Sequence, residues 1–196
     1  HNPEFTMIEF YCAYVDYNDL MELTENMFRT IALNVLGTLQ FEYQGHQIDF
    51  EKPFRRLSVY DGIKEYIPNH DPKIFEDIEV ARAFAKKRGV KVEPYWPHGK
   101  ILMEMFEEAA QHTFINPIFI TDFSLDVSPL ARKKDSDPTL VDRFELYVGG
   151  YEVANAFSEL NDAMDQEERF INQLKEKEAG DVEAQSMDND FVRALK

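Results

Sequence analysis

Glu145 and Glu152 are the residues whose types and spacing point most directly to chemistry. They flank Gly149-Gly150, and a two-residue Gly-Gly connection is a strong hairpin signal because both positions accept positive φ. With that turn, Val148 pairs with Tyr151, Tyr147 with Glu152, and Glu145 with Ala154. Paired residues point to the same side, so the two glutamates share a face as diagonal neighbours, about 7–8 Å apart at Cα. Carboxylates that close repel unless a cation or a proton lies between them. Hard oxygen ligands at this spacing suit Mg²⁺, which takes one or two carboxylates plus substrate phosphates. Two readings stand at this point: a metal site, or two solvated glutamates each near a lysine or arginine. The hairpin shows that they share a face, not that the face is buried.

Asn155, Phe157 and Glu159 follow on one strand face, but simple alternation places that face opposite Glu152. For both sets to serve one pocket, a β-bulge must lie between Glu152 and Asn155. The bland alternative is an edge strand with a polar outer face. Near the N-terminus, Glu9 and Tyr11 put a carboxylate and a phenol on one side of a strand-like stretch; with Glu159 they could offer two anions and a hydroxyl to an amino group. The histidines are scattered, no Gly-rich phosphate loop is present, and no Cys/His set has metal-ligand spacing. Cys12 falls on the apolar face of its stretch and reads as core rather than nucleophile.

The elements that must position these residues follow from periodicity. Residues 4–14 alternate like a strand, with Phe5, Met7, Glu9 and Tyr11 on one face and Thr6, Ile8, Phe10 and Cys12 on an inner face. Asp16 to Leu36 is an amphipathic helix stopped by Gly37. Leu39 to Phe50 is a hairpin turning at Gln44-Gly45, and Arg55 to Tyr66 holds a short helix. Residues 68–96, with one helix over Phe75 to Arg88, read as a small helical insertion. A helix follows over Gly99 to Thr113, then a buried strand at Pro117–Phe123 and a loop from Val127 to Lys134. The strands Arg143–Val148 and Tyr151–Phe157 precede a charged helix, Asp162 to Glu178. Strands and helices without βαβ alternation predict an α+β fold, an antiparallel sheet flanked by helices.

The 196 residues suffice for one domain with a real core, and 44% apolar with 13% aromatic content predicts a folded chain. A net charge of −16 argues against a surface built to grip a phosphate backbone. No apolar run approaches the roughly 18 residues of a membrane span, and no charged-then-apolar leader opens the chain. One cysteine excludes an intrachain disulfide and fits a reducing cytoplasm. The opening His-Asn-Pro-Glu-Phe-Thr, strand-like and uncapped, reads as a cut inside an element of a longer polypeptide.

Three blocks also resemble one family. His1–Tyr11 resembles the second strand of motif 2 in class II aminoacyl-tRNA synthetases, in its lysyl form. Asp142–Asp162 resembles the lysyl-specific stretch between motifs 2 and 3, and Val127–Arg132 is a third matching block. The resemblance covers residues 1–196 as part of a class II catalytic domain. It implies ATP-dependent activation of lysine to lysyl-adenylate, transfer to tRNA(Lys), a cytoplasmic homodimer and no membrane association. It places His1, Asn2, Phe5, Glu145 and Glu152 at ATP, with Glu145 and Glu152 holding Mg²⁺. It places Glu9, Tyr11, Asn155, Phe157 and Glu159 around lysine, with Glu159 facing the ε-ammonium. No side chain is implied as general acid or base; positioning and charge neutralisation supply the catalysis. Ala156 departs from the Gly of many bacterial relatives. Motif 1, the first strand of motif 2 and motif 3 are not found, so the segment alone is expected to be inactive. The rival expectations are a paralogue that attaches lysine to a protein acceptor and a non-catalytic module derived from a synthetase.

Overall fold

The computed structural model describes residues 3–181 and 184–196, so the expectations on His1 and Asn2 lie outside the described residues. Helix α1 (Tyr17–Leu36) begins at Asp16, whose carboxylate accepts from the Asn18 and Asp19 amides while Asp19 accepts from the Asp16 amide. This reciprocal cap satisfies donors that the first helical turn leaves unpaired. Gly37 closes the helix in the left-handed region at φ 73°. Strands β1 (Gln40–Tyr43) and β2 (His46–Asp49) form the predicted hairpin at Gln44-Gly45.

Between Arg55 and Tyr66 the expected short helix is present, preceded by a strand that was not expected. Arg55–Ser58 is a strand, β3, and only Val59–Tyr66 is helical, as α2. Local periodicity missed β3 because its partner is β4 (Ile118–Thr121), far downstream, to which it runs parallel. Residues 68–96 are helical as predicted: a 3₁₀ turn at Pro72–Phe75 leads into α3 (Ile78–Lys87), capped by Asp77. Ile74, Ala81 and Ala85 of this segment are fully buried in the same cluster as α2 and the following helix α4 (His98–Ala110). Helices α2 and α4 approach closely at Gly62, where a Cβ would stand 2.3 Å from the Phe106 ring.

The main sheet has the order β3-β4-β5-β6, with β5 at Arg143–Val148 and β6 at Tyr151–Phe157. It is antiparallel except at the β3 edge. One face carries Phe119, Phe144 and Leu146 against Tyr17, Met21 and Ala32 of α1 and Ile48 of the hairpin. A chain of ring contacts, Phe41–Phe50–Phe54–Phe119–Phe144, runs through that layer with centroids 5.1–5.9 Å apart. Each such pair adds about 0.5–1.5 kcal/mol beyond the area it buries. The opposite face carries Leu57, Ile118, Ile120 and Tyr147 against α2 and α4. Helix α5 (Ala163–Glu178) packs on the loop after β4, its buried Arg169 paired with Asp165 and donating to the Ser128 and Ala131 carbonyls. A last helix, α6 (Asn189–Leu195), closes the described chain.

Residues 4–14 are a second departure. Their alternation predicts a strand, yet the segment is extended with no ladder partner among the described residues. The expected inner face is open: Ile8 is 76% exposed, and Cys12 is a free exposed thiol, not core. Alternation states which side chains share a face. Only a neighbouring strand turns that face into an interior.

Candidate functional site

The hairpin β5–β6 turns at Gly149 (φ 63°) and Gly150 (φ 83°), both in the left-handed region that glycine alone adopts freely. Near the turn the register is as predicted, Val148 with Tyr151 and Tyr147 with Glu152. Beyond it the register slips: Leu146 pairs with Ala154 and Glu145 with Asn155, not with Ala154. Val153 is the extra residue, so the bulge demanded between Glu152 and Asn155 is present. It turns Asn155 and Phe157 to the face that already holds Arg143, Glu145, Tyr147 and Glu152. One strand pair therefore carries both halves of the expected site on one side.

Glu9, Tyr11, Asn155, Phe157 and Glu159 all line one cleft, with a cavity volume of about 830 Å³. The extended N-terminal segment forms one wall, β6 and its continuation the other. Glu159 is held there by a bridge to Ala131 in the Val127–Arg132 block, and the Arg132 amide donates to the Ser158 carbonyl at 2.8 Å. The Tyr11 hydroxyl donates to Glu9 at 2.7 Å. Phe5 is 76% exposed and is not among the residues lining the cleft. A second cavity of about 840 Å³ lies between α5 and residues 184–191, and its lining includes none of the residues singled out from sequence.

Glu145 is only 5% exposed, so the solvated-surface reading does not hold for it. Its Oε1 accepts from Arg143 at 2.6 Å and its Oε2 from the Tyr147 hydroxyl at 2.7 Å. Glu152 stands at the open edge of the same face. Burial and then the Glu145 charge raise its carboxyl, with Arg143 opposing. Glu107 of α4 faces this pair and its carboxyl is pushed up to about 7, first by burial, then by Glu145 and Glu104. Glu159 is likewise raised, by burial and then by Glu9.

Comparison with known proteins bears on this arrangement directly. The family model for class II tRNA synthetases (D, K and N) matches residues 1–196. The chain belongs to the class II tRNA synthetases. Over all 196 residues it is 50% identical to the lysine–tRNA ligase of Cronobacter sakazakii, 52% to that of Idiomarina loihiensis and 53% to that of Pseudomonas aeruginosa. In each case it spans 39% of the relative's length. The α+β fold expected from sequence is thus the fold of a class II synthetase domain. No helix among the described residues is long and apolar enough to cross a membrane.

Within this synthetase domain, sequence reasoning missed four groups at the site. Arg143, Tyr147, Ser128 and Glu107 are all engaged with, or aimed at, Glu145 or its neighbours. Arg143 and Tyr147 were legible by parity, since residues two apart on a strand share a face. Ser128 and Glu107 come from a distant loop and helix, and no local pattern marks them.

Proposed function

We propose that the full-length protein carrying this class II synthetase segment is a lysine–tRNA ligase, which uses ATP to activate lysine and then transfers it to tRNA(Lys). The observation that carries this reading is the single cleft lined by Glu9, Tyr11, Asn155, Phe157 and Glu159, set beside the Glu145–Glu152 face. Its support is the name shared by relatives at 50–53% identity. The cytoplasmic homodimer belongs to the same proposal.

Glu9 and Glu159 present two carboxylates to the cleft, and the Glu9 charge is felt at Glu159. A lysine ε-ammonium placed there removes that repulsion and gains charge-assisted hydrogen bonds. A neutral or acidic side chain would leave it standing, which is the basis of selection against aspartate and asparagine. The Tyr11 hydroxyl holds Glu9 in place, Asn155 offers an amide, and Phe157 supplies an apolar wall for the lysine methylenes.

The donor set fits magnesium. Glu145 and Glu152 are hard oxygen ligands on one face, and the Glu152 carboxyl is raised by burial and then by the Glu145 charge, which a cation would offset. Two carboxylates do not close a metal site by themselves, so an ion held there would be completed by substrate phosphates. Bound there, magnesium would neutralise phosphate charge as pyrophosphate leaves. The residues of this chain orient the lysine carboxylate toward the nucleotide and transfer no proton themselves. Phe5 is proposed to stack on adenine.

Glu159→Gln in the full-length protein is the test. One charge-assisted contact is worth about 1.5–3 kcal/mol, so lysine affinity should fall by about 10- to 150-fold. ATP affinity, measured by calorimetry on the same sample, should stay within about twofold. Equal losses for both ligands would sink the assignment of Glu159.

A further inference from the structure

Both oxygens of the buried Glu145 carboxylate are met by protein donors, Arg143 on one and Tyr147 on the other. Tyr147 is 2% exposed, its ring packed on Phe114, and among the described residues its hydroxyl donates to Glu145. Arg143 does more. Its Nε donates to Asn155 Oδ1 at 3.2 Å, and its Nη1 donates to Ser128 Oγ at 2.8 Å and to the Val127 carbonyl at 3.0 Å. Its guanidinium lies over the Phe123 ring, 4.4 Å from the centroid. Ser128 and Phe123 are themselves buried, at 4% and 1% exposure, so the guanidinium is anchored from behind.

A guanidinium presents its N–H donors in one rigid plane, and here that plane touches the nucleotide-side carboxylate and the lysine-side amide at once. We infer that Arg143 is a positioning residue that couples the two halves of the site, while Tyr147 positions the nucleotide half only. The inference rests on the proposed reading of Glu145 as a metal and nucleotide group and Asn155 as a lysine group. Each Glu145 oxygen keeps a lone pair for a further ligand, so the two donors orient the carboxylate without blocking it. By accepting from Arg143 through Oδ1, Asn155 keeps its Nδ2 donors for a ligand. Lysine at position 143 would keep the charge beside Glu145 but lose the fork that reaches Asn155 and Ser128 together.

The experiment is lysine-dependent ATP–pyrophosphate exchange by the full-length protein, reading KM for lysine, KM for ATP and the Mg²⁺ midpoint. The variants are Arg143→Lys, Ser128→Ala, Tyr147→Phe and Glu145→Gln. Partners that orient a metal ligand typically change affinity by about 10- to 100-fold. Arg143→Lys should raise both KM for lysine and the Mg²⁺ midpoint by about tenfold or more. Ser128→Ala, with the guanidinium intact, should move both in the same direction by about two- to fivefold. Tyr147→Phe should shift the Mg²⁺ midpoint by about three- to tenfold and leave KM for lysine within about twofold. Lower kcat in Arg143→Lys and Ser128→Ala, with both KM values and the Mg²⁺ midpoint unchanged, overturns the inference. So does Tyr147→Phe raising KM for lysine as much as Arg143→Lys. If Arg143→Lys does not fold, the contrast between Ser128→Ala and Tyr147→Phe decides. Wild-type protein without lysine-dependent exchange, or Glu145→Gln behaving as wild type, overturns the functional reading itself and is distinct from either result.

Discussion

Glu107 enters the site from α4 with a carboxyl pushed from 4.5 up to about 7 by burial and by the Glu145, Glu104 and Glu152 charges, Lys100 opposing. The folded state therefore holds a proton there that the unfolded chain has lost. The stabilisation from that proton is complete below about 4.5 and disappears as pH rises through about 7. Glu107→Gln cannot ionise, so it should raise stability at pH 8 by about 1–2 kcal/mol, allowing for solvent screening, and change little at pH 4.5. Urea melts at the two pH values measure the difference; an equal effect at both would refute the assignment. At this scale the sequence was informative where residues share one strand. Glu145, Glu152, Asn155 and Phe157 were found by parity, whereas Glu107 lies on a helix that only folding brings alongside.

Among the elements, β6 depends on one residue. Val153 is the extra residue that brings Asn155 and Phe157 onto the Glu145 face. Deleting it should leave a regular ladder with the same pairs, because Glu152 and Asn155 would then be two apart and share a face without a bulge. The expected result is retained lysine binding by calorimetry, with the helix and strand content seen by circular dichroism unchanged; loss of lysine binding would contradict a bulge whose role is only to set the face. Helix α1 offers a simpler test. Asp16→Ala removes the acceptor for two amides and half of a capping box, and should cost about 1 kcal/mol by thermal melting. The hairpin boundaries, α1 and α4 were legible because local signals such as Gly-Gly, an N-cap and helical spacing determine them. Strand β3 was not, since its pairing with Ile118–Thr121 is non-local. The segment 4–14 carries the pattern of a strand without the neighbour that would make it one.

For the whole molecule, a net charge of −16 sets a background of self-repulsion that salt screens. Melting temperature should therefore rise with NaCl. At matched ionic strength MgCl₂ should raise it further, by mass action on a folded-state site, and Glu145→Gln with Glu152→Gln should abolish the excess. Equal effects of the two salts in wild type would count against magnesium at this face. The sequence by itself determined the α+β composition, the hairpin at Gly149-Gly150, the residues that share each strand face and the need for a bulge between Glu152 and Asn155. These follow from backbone geometry and near-neighbour sterics, which read a few residues at a time. Only the tertiary structure decided where the bulge falls, that Glu145 is buried between Arg143 and Tyr147, that Glu107 faces it, and that Glu9 and Glu159 share a cleft. Those facts depend on packing between segments distant in the chain, where burial and opposed charges are set by neighbours that no local pattern names.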